Sequence, residues 1–159
     1  YAKHYQTGEV IPEALITKLT KSAQFNQGFE TVEYLAAALL DMDLHTQPFN
    51  GDVEASEKAS MDKIGLINEI VPRYRSTYFS HIFSGGYSAG YYVYIWAAVL
   101  DADAFDAFKQ SGDIFNPEYA AKFRTLLTKC GTDDGMVIYK NFRGQEPSIE
   151  PLLKNRGLK

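Results

Sequence analysis

Three tyrosines and a histidine carry the strongest chemical signal in the sequence. Tyr87, Tyr91 and Tyr94 recur at i, i+4 and i+7. On a helix that spacing sets all three phenols on one face. His81 stands upstream, separated from them by the pair Gly85-Gly86. Phenols can donate hydrogen bonds to peptide carbonyls, or to an oxyanion as charge develops on it. The glycine pair lets a backbone approach an extended ligand closely, or move over it. The residues alone support two readings. The rings form an aromatic core with a satisfied histidine, or they form a wall for a polar ligand.

Other chemistries find little support. The three histidines, His4, His45 and His81, are far apart in sequence. No His-Glu-x-x-His segment sets two ligands and a base on one helical turn. Gly85-Gly86 lacks the Lys-Ser/Thr of a phosphate loop, and no Gly-x-Ser-x-Gly elbow is present. Cys130 falls at an expected helix C-terminus, where the dipole disfavours a thiolate, so it reads as a half-buried structural residue. The pairs Asp41/Asp43, Asp101/Asp103 and Asp133/Asp134 read as solvated faces or caps.

The elements that must position these residues are helical. Pro12-Glu13 opens a first helix, and Asn26-Gln27-Gly28 stops it. A second helix runs from Phe29 to Leu44 and is apolar nearly all round, which predicts burial. His45–Asp52 is a loop, and Val53–Ile64 is a short polar helix. Leu66–Tyr74 is ambiguous because Pro72 interrupts it. Ser76–Phe83 is expected to be helical. The longest helix is expected from Tyr87 or Ser88 to Gln110, at the centre of the bundle. Asn116-Pro117 opens a helix to Cys130. Asp133-Asp134 caps another that ends near Gly144, and Ser148 caps a last one that ends at Gly157. The expected fold class is all-α, a multi-helix bundle.

Composition sets the outer limits. The 159 residues fit one domain. With 45% hydrophobic and 23% charged residues, the chain has the balance of a folded globular protein. A net charge of -4 without a run of like charges argues against a nucleic-acid or anionic-membrane surface. No apolar run is long enough to span a bilayer. A single cysteine excludes an internal disulfide framework, which is compatible with the cytoplasm.

One long stretch resembles a known family. Tyr74 to Trp96 reads Tyr-Arg-Ser-Thr-Tyr-Phe-Ser-His-Ile-Phe-Ser-Gly-Gly-Tyr-Ser-Ala-Gly-Tyr-Tyr-Val-Tyr-Ile-Trp. It closely resembles the C-terminal part of the thimet oligopeptidase family of zinc metallopeptidases. Three further stretches fit the same family in the same order. They are His4–Pro12, Phe25–Gly28 with Glu33–Ala36, and Phe142–Leu153. The resemblance therefore covers essentially the whole chain. Its nearest branch is bacterial peptidyl-dipeptidase, which releases C-terminal dipeptides, with oligopeptidase A close behind.

The resemblance implies zinc-dependent hydrolysis of short peptides in a channel between two mostly helical halves. The family's His-Glu-x-x-His helix and its third ligand, a glutamate, lie upstream of the matched region, and this sequence contains neither. Residues 1–159 are thus expected to be a single helical domain. It would be the C-terminal portion of a larger zincin-type metallopeptidase, inactive by itself, with its zinc ligands outside this chain. By resemblance, Tyr94 and His81 are the catalytic candidates. Tyr94 donates to the oxyanion, a role that typically lowers a barrier by about 2.7–4 kcal/mol. His81 and Tyr87 contact the substrate backbone, Tyr91 faces substrate, and Gly85 and Gly86 form a mobile loop. Tyr92 and Trp96 fall on the opposite side as core. Arg73 and Arg75 are candidates for holding a substrate carboxylate. The expected partners are short peptides and the missing N-terminal part. Two alternatives stay open: an endo-acting oligopeptidase, and a helical module that binds peptides or proteins without catalysis.

Overall fold

The structure is a computed structural model that describes residues 2–49 and 51–159. Among the described residues there are eight α-helices. They are α1 (Glu13–Ser22), α2 (Gln27–Thr46), α3 (Val53–Lys63), α4 (Ser80–Phe83), α5 (Val93–Gln110), α6 (Pro117–Thr128), α7 (Gly135–Arg143) and α8 (Glu150–Asn155). A 3-10 turn at Ser76–Tyr78 precedes α4. The β structure among these residues is an isolated bridge between Lys3 and Val10. The all-α expectation is met.

Several helix ends follow from local chemistry. The Asn116 carboxamide accepts from the N–H groups of Glu118 and Tyr119 at 3.0 and 3.1 Å, and Pro117 fills the first turn. Asp134 accepts from Met136 and Val137. Gly144 closes α7 at φ +78°, a conformation a side chain would oppose. Asp52 caps α3 through the Ala55 N–H. Asn26, left-handed at φ +60°, separates α1 from α2, so the expected stop is present but α2 begins immediately after it.

Two expectations fail. The long helix begins at Val93 and not at Tyr87 or Ser88, because residues 88–92 form tight turns held from outside. Ser76–Phe83 is a 3-10 turn followed by a single helical turn. Leu66–Tyr74, ambiguous in sequence, adopts no regular structure.

Three apolar clusters make the core. Ala37 and Ala38 of α2 pack on Phe79, Ile82 and Tyr91. Ala36 and Leu40 pack on Met61 of α3. Ala104 and Ala107 of α5 pack on Tyr139 and Phe142 of α7. The run Ala36-Ala37-Ala38 is buried throughout and gives α2 a smooth surface for close approach. Carboxylates fasten the helices to their neighbours. Glu57 of α3 accepts from the Ser76 amide and hydroxyl at 2.8 and 2.9 Å and pairs with Arg75. Asp43 of α2 accepts from Ser60 at 2.8 Å and pairs with Lys63 at 2.9 Å. Burial would raise the Asp43 pKa, but these two hydrogen bonds outweigh it and hold the carboxyl below its usual range. Asp103 of α5 accepts from the Tyr139 hydroxyl at 2.6 Å and from Arg143 Nε at 3.1 Å. Asp41 and Asp103, expected on solvated faces or at caps, are instead fully enclosed.

The chain leaves much apolar surface open. A free-standing monomer of 17.9 kDa has an accessible surface of about 8,000 Å². This chain has 11,080 Å². The excess is concentrated on faces that read as core in sequence. Leu15, Ile16 and Leu19 of α1 are exposed, as are Leu35 and Leu39 on the outer side of α2. The first half of α5, expected at the bundle centre, is open, and Tyr92 and Trp96 are 52% and 40% exposed. Trp96 borders an open cleft with Leu126 and Leu127 of α6 and Ile138 and Tyr139 of α7. Cys130, expected half-buried, is exposed.

Breaking the Asp103 cluster has a calculable effect. Arg143 and Asp103 side chains are 8% and 1% exposed, so Arg143→Leu strands a buried charge. We expect a loss of about 3–5 kcal/mol in urea unfolding, against about 1–2 kcal/mol for Tyr139→Phe. Burial, then the Asp103 hydrogen bond, raises the Tyr139 pKa. The unfolded chain therefore releases this proton first. The Tyr139 contribution is complete below about pH 10 and is lost as pH rises beyond it. Tyr139→Phe should flatten that alkaline decline.

Candidate functional site

The site is assembled on one face of α2. Tyr34, Asp41 and His45 lie at i, i+7 and i+11, a spacing that returns them to the same side. The Asp41 carboxylate is 0% exposed. Its Oδ1 accepts from the Ala89 N–H and its Oδ2 from the Tyr91 N–H, both at 2.9 Å. The Tyr34 hydroxyl donates to the Tyr91 carbonyl at 2.7 Å and accepts from the Ile95 N–H at 3.2 Å. His45 Nδ1 lies 2.9 Å from both the Asp41 carbonyl and Oδ1, so it carries the proton. These bonds hold Ala89 at φ +52°, an unusual conformation for a residue with a side chain. They also explain why α5 starts late.

The loop before it is tight. Gly85 N–H donates to the Ser80 carbonyl at 3.0 Å, and Tyr87 N–H donates to the His81 carbonyl at 3.3 Å. A Cβ on Gly85 would stand 2.7 Å from the His81 carbonyl oxygen, closer than real contacts allow. Gly86 faces open space and has no such requirement. The two glycines therefore differ in kind: Gly85 is required by packing and Gly86 is not. Ser88 Oγ donates to the Ile82 carbonyl at 2.6 Å and closes the turn.

On this support the expected residues come together as a row of rings. His81 lies 6.4 Å from Tyr87 and 5.9 Å from Tyr91, centroid to centroid. Tyr94 lies 5.2 Å from both Tyr87 and Tyr91. Tyr91 is 3% exposed and forms the floor, whereas Tyr94 is 41% exposed at the outer end. His81 and Tyr87 are half-buried. The sequence reading missed Tyr74, whose ring sits 4.9 Å from His81 and 6.1 Å from Tyr91. It lies in the irregular segment, where no periodicity could mark it. Tyr34 and Asp41 were missed as well, because their partners are far away in sequence.

The electrostatics favour hydrogen-bond donation. The hydrogen bond with the Tyr87 phenol, then partial desolvation, pushes the Tyr94 pKa up to about 12. Tyr94 therefore keeps its proton at neutral pH. Burial raises the Tyr91 and Tyr34 phenols as well. His81 Nδ1 is buried with no hydrogen-bond partner among the described residues. Of the two arginines, Arg75 is engaged by buried Glu57. Arg73 lies 5.8 Å from the Tyr74 ring centroid, and no carboxylate among the described residues pairs with it. No group of three or more His, Cys, Asp or Glu side chains among the described residues could hold a metal ion.

The row makes a direct prediction about ionisation. Tyr87→Phe removes the hydroxyl that retains the Tyr94 proton. The Tyr94 pKa should then fall from about 12 toward the ordinary phenol value of about 10. Titration of ring-labelled tyrosines by NMR reads this directly. An unchanged Tyr94 titration would exclude coupling between the two phenols.

Comparison with known proteins assigns the family. The model of peptidase family M3 matches residues 1–158. Dipeptidyl carboxypeptidase of Escherichia coli (strain K12) is 40% identical over 163 residues, covering 99% of this chain and 24% of the relative. Probable cytosolic oligopeptidase A of Arabidopsis thaliana is 41% identical over 166 residues, covering 99% of this chain and 23% of the relative. Oligopeptidase A of Escherichia coli (strain K12) is 37% identical over 162 residues, covering 98% and 23%. This chain spans about a quarter of the length of these relatives. The matches run through the aromatic row and the helices that carry it, and on that ground the chain belongs to peptidase family M3.

Proposed function

We propose that this chain is the substrate-binding C-terminal part of a zinc-dependent peptidyl-dipeptidase, which hydrolyses short peptides and releases C-terminal dipeptides. The observation that carries this reading is Tyr94, a half-exposed phenol with its proton retained, at the outer end of the His81–Tyr87–Tyr91 row. A neutral donor at that place can bond the oxyanion of a tetrahedral intermediate. The Tyr87 phenol lies beside it, with the half-buried His81 ring next in the row, where a peptide backbone would run. Gly86, which faces open space, lets that backbone come close.

The described residues do not gather a metal ligand set. In this reading the zinc and the general base belong to another part of the parent enzyme, and this chain alone should be inactive. The open apolar faces of α1 and α5 support the same assignment, because an excess of about 3,000 Å² is the scale of an extensive permanent interface. The proposed partners are thus short peptides and the N-terminal part of the same enzyme. The cytoplasm is the proposed compartment; no helix among the described residues is long and apolar enough to cross a membrane.

A second reading within the family is an endo-acting oligopeptidase, favoured by comparable identity to oligopeptidase A. Arg73 separates the two. It lies beside the aromatic row against Tyr74, with no carboxylate within ion-pair distance among the described residues, and a dipeptidyl carboxypeptidase needs a cation for the free carboxylate.

Two experiments on the full-length parent test these roles. Tyr94→Phe should lower kcat by about 100- to 1,000-fold with little change in KM. Tyr92→Phe, on the opposite side of α5, should change neither. A loss confined to KM would remove Tyr94 from the oxyanion role. Arg73→Ala should raise KM about tenfold or more for peptides with a free C-terminus. It should leave an amidated peptide unaffected. Efficient cleavage of the amidated peptide by the native enzyme would favour the endo-acting reading.

A further inference from the structure

We infer that Asp41 is a positioning residue: its buried carboxylate, together with the Tyr34 hydroxyl, aims Tyr94 by fixing the backbone from Ala89 to Ile95. This rests on the reading of Tyr94 as the oxyanion donor. Asp41 is wholly enclosed, so it acts through the loop and not on a bound peptide.

Tyr94 has few means of its own to hold a direction. Its ring contacts are Tyr87 and Tyr91, and its phenol bonds Tyr87; both partners belong to the same loop. Its orientation therefore comes from the main chain around it. That main chain is tied to α2 at four points. Asp41 accepts the amides of Ala89 and Tyr91, and Tyr34 grips the Tyr91 carbonyl and the Ile95 N–H. The Ile95 N–H belongs to the peptide group that follows Tyr94 directly. The two bonds to Asp41 need an acceptor on each oxygen, which a carboxylate supplies and a carboxamide does not. His45 locks the carboxylate from behind, and its ring rests on Phe83 at 5.7 Å, the other end of the loop. Without these ties, Ala89 would relax from its left-handed conformation and α5 could extend backwards through Tyr91. Either change rotates Tyr94 away from its present direction.

The test is a comparison of kcat in the full-length parent with and without Tyr94→Phe, in three backgrounds: native, Asp41→Asn and Tyr34→Phe. Asp41→Asn should lower kcat by up to about a hundredfold, the scale of a small misplacement, with a smaller change in KM. The factor lost on adding Tyr94→Phe should shrink from about a hundredfold or more in the native enzyme to less than about tenfold in Asp41→Asn. A residue that only stabilises the fold reduces the amount of active enzyme and leaves that factor unchanged. An unchanged factor would therefore overturn the inference. If Asp41→Asn does not fold, Tyr34→Phe decides, because it deletes one hydroxyl and keeps the ring. A full Tyr94→Phe factor in that background overturns the positioning role equally. If Tyr94→Phe costs nothing even in the native enzyme, the reading of Tyr94 itself fails, and the inference fails with it.

Discussion

A carboxylate sealed inside a protein must find donors or forfeit several kcal/mol of hydration. Asp41 finds them in two backbone amides some fifty residues away and in the His45 ring. That requirement draws residues 88–92 back onto α2 and keeps them out of α5. The left-handed backbone at Ala89 costs about 1–2 kcal/mol. This is less than the penalty of leaving the charge without partners, so the loop yields and the carboxylate does not. The placement of Tyr91 in the aromatic row and the late start of α5 both follow from this one accommodation.

The same interaction marks the limit of what could be read from the sequence. The grouping of Tyr87, Tyr91 and Tyr94 was legible as a helical spacing, and the rings do meet. They meet by a different route, because Tyr87 and Tyr91 precede the helix. A one-dimensional pattern cannot show that an aspartate on another helix will intercept the first turn. Signals that act over three or four residues were read well. Asn116, Asp134 and Gly144 sit at helix ends for reasons local to each. Asp41 and Asp103 were misread because a carboxylate on an apolar helix looks the same in sequence whether it meets water or a buried donor.

Burial was legible only where both partners lie on this chain. The C-terminal half of α5 is covered by α6 and α7, and there the apolar pattern and the packing agree. Around Tyr92 and Trp96 the pattern asks for cover that the described residues do not give. The family assignment supplies the physical reason, since the relatives are about four times longer than this chain. Hydrophobic periodicity reports a need for a partner; it does not say which segment meets it.

The three buried alanines of α2 also act as a spacer. With nothing larger than a methyl group at Ala37 and Ala38, α2 lies close enough to Phe79, Ile82 and Tyr91 for the short side chain of Asp41 to reach the opposing amides. The gauge of the site is thus set by side chains that carry no polar atom. A drift toward valine at either position would widen the gap by about one methyl layer and leave the carboxylate short of its donors. The tolerance of this aromatic wall to sequence change is therefore governed from the face of α2 that also carries Asp41, by side-chain volume.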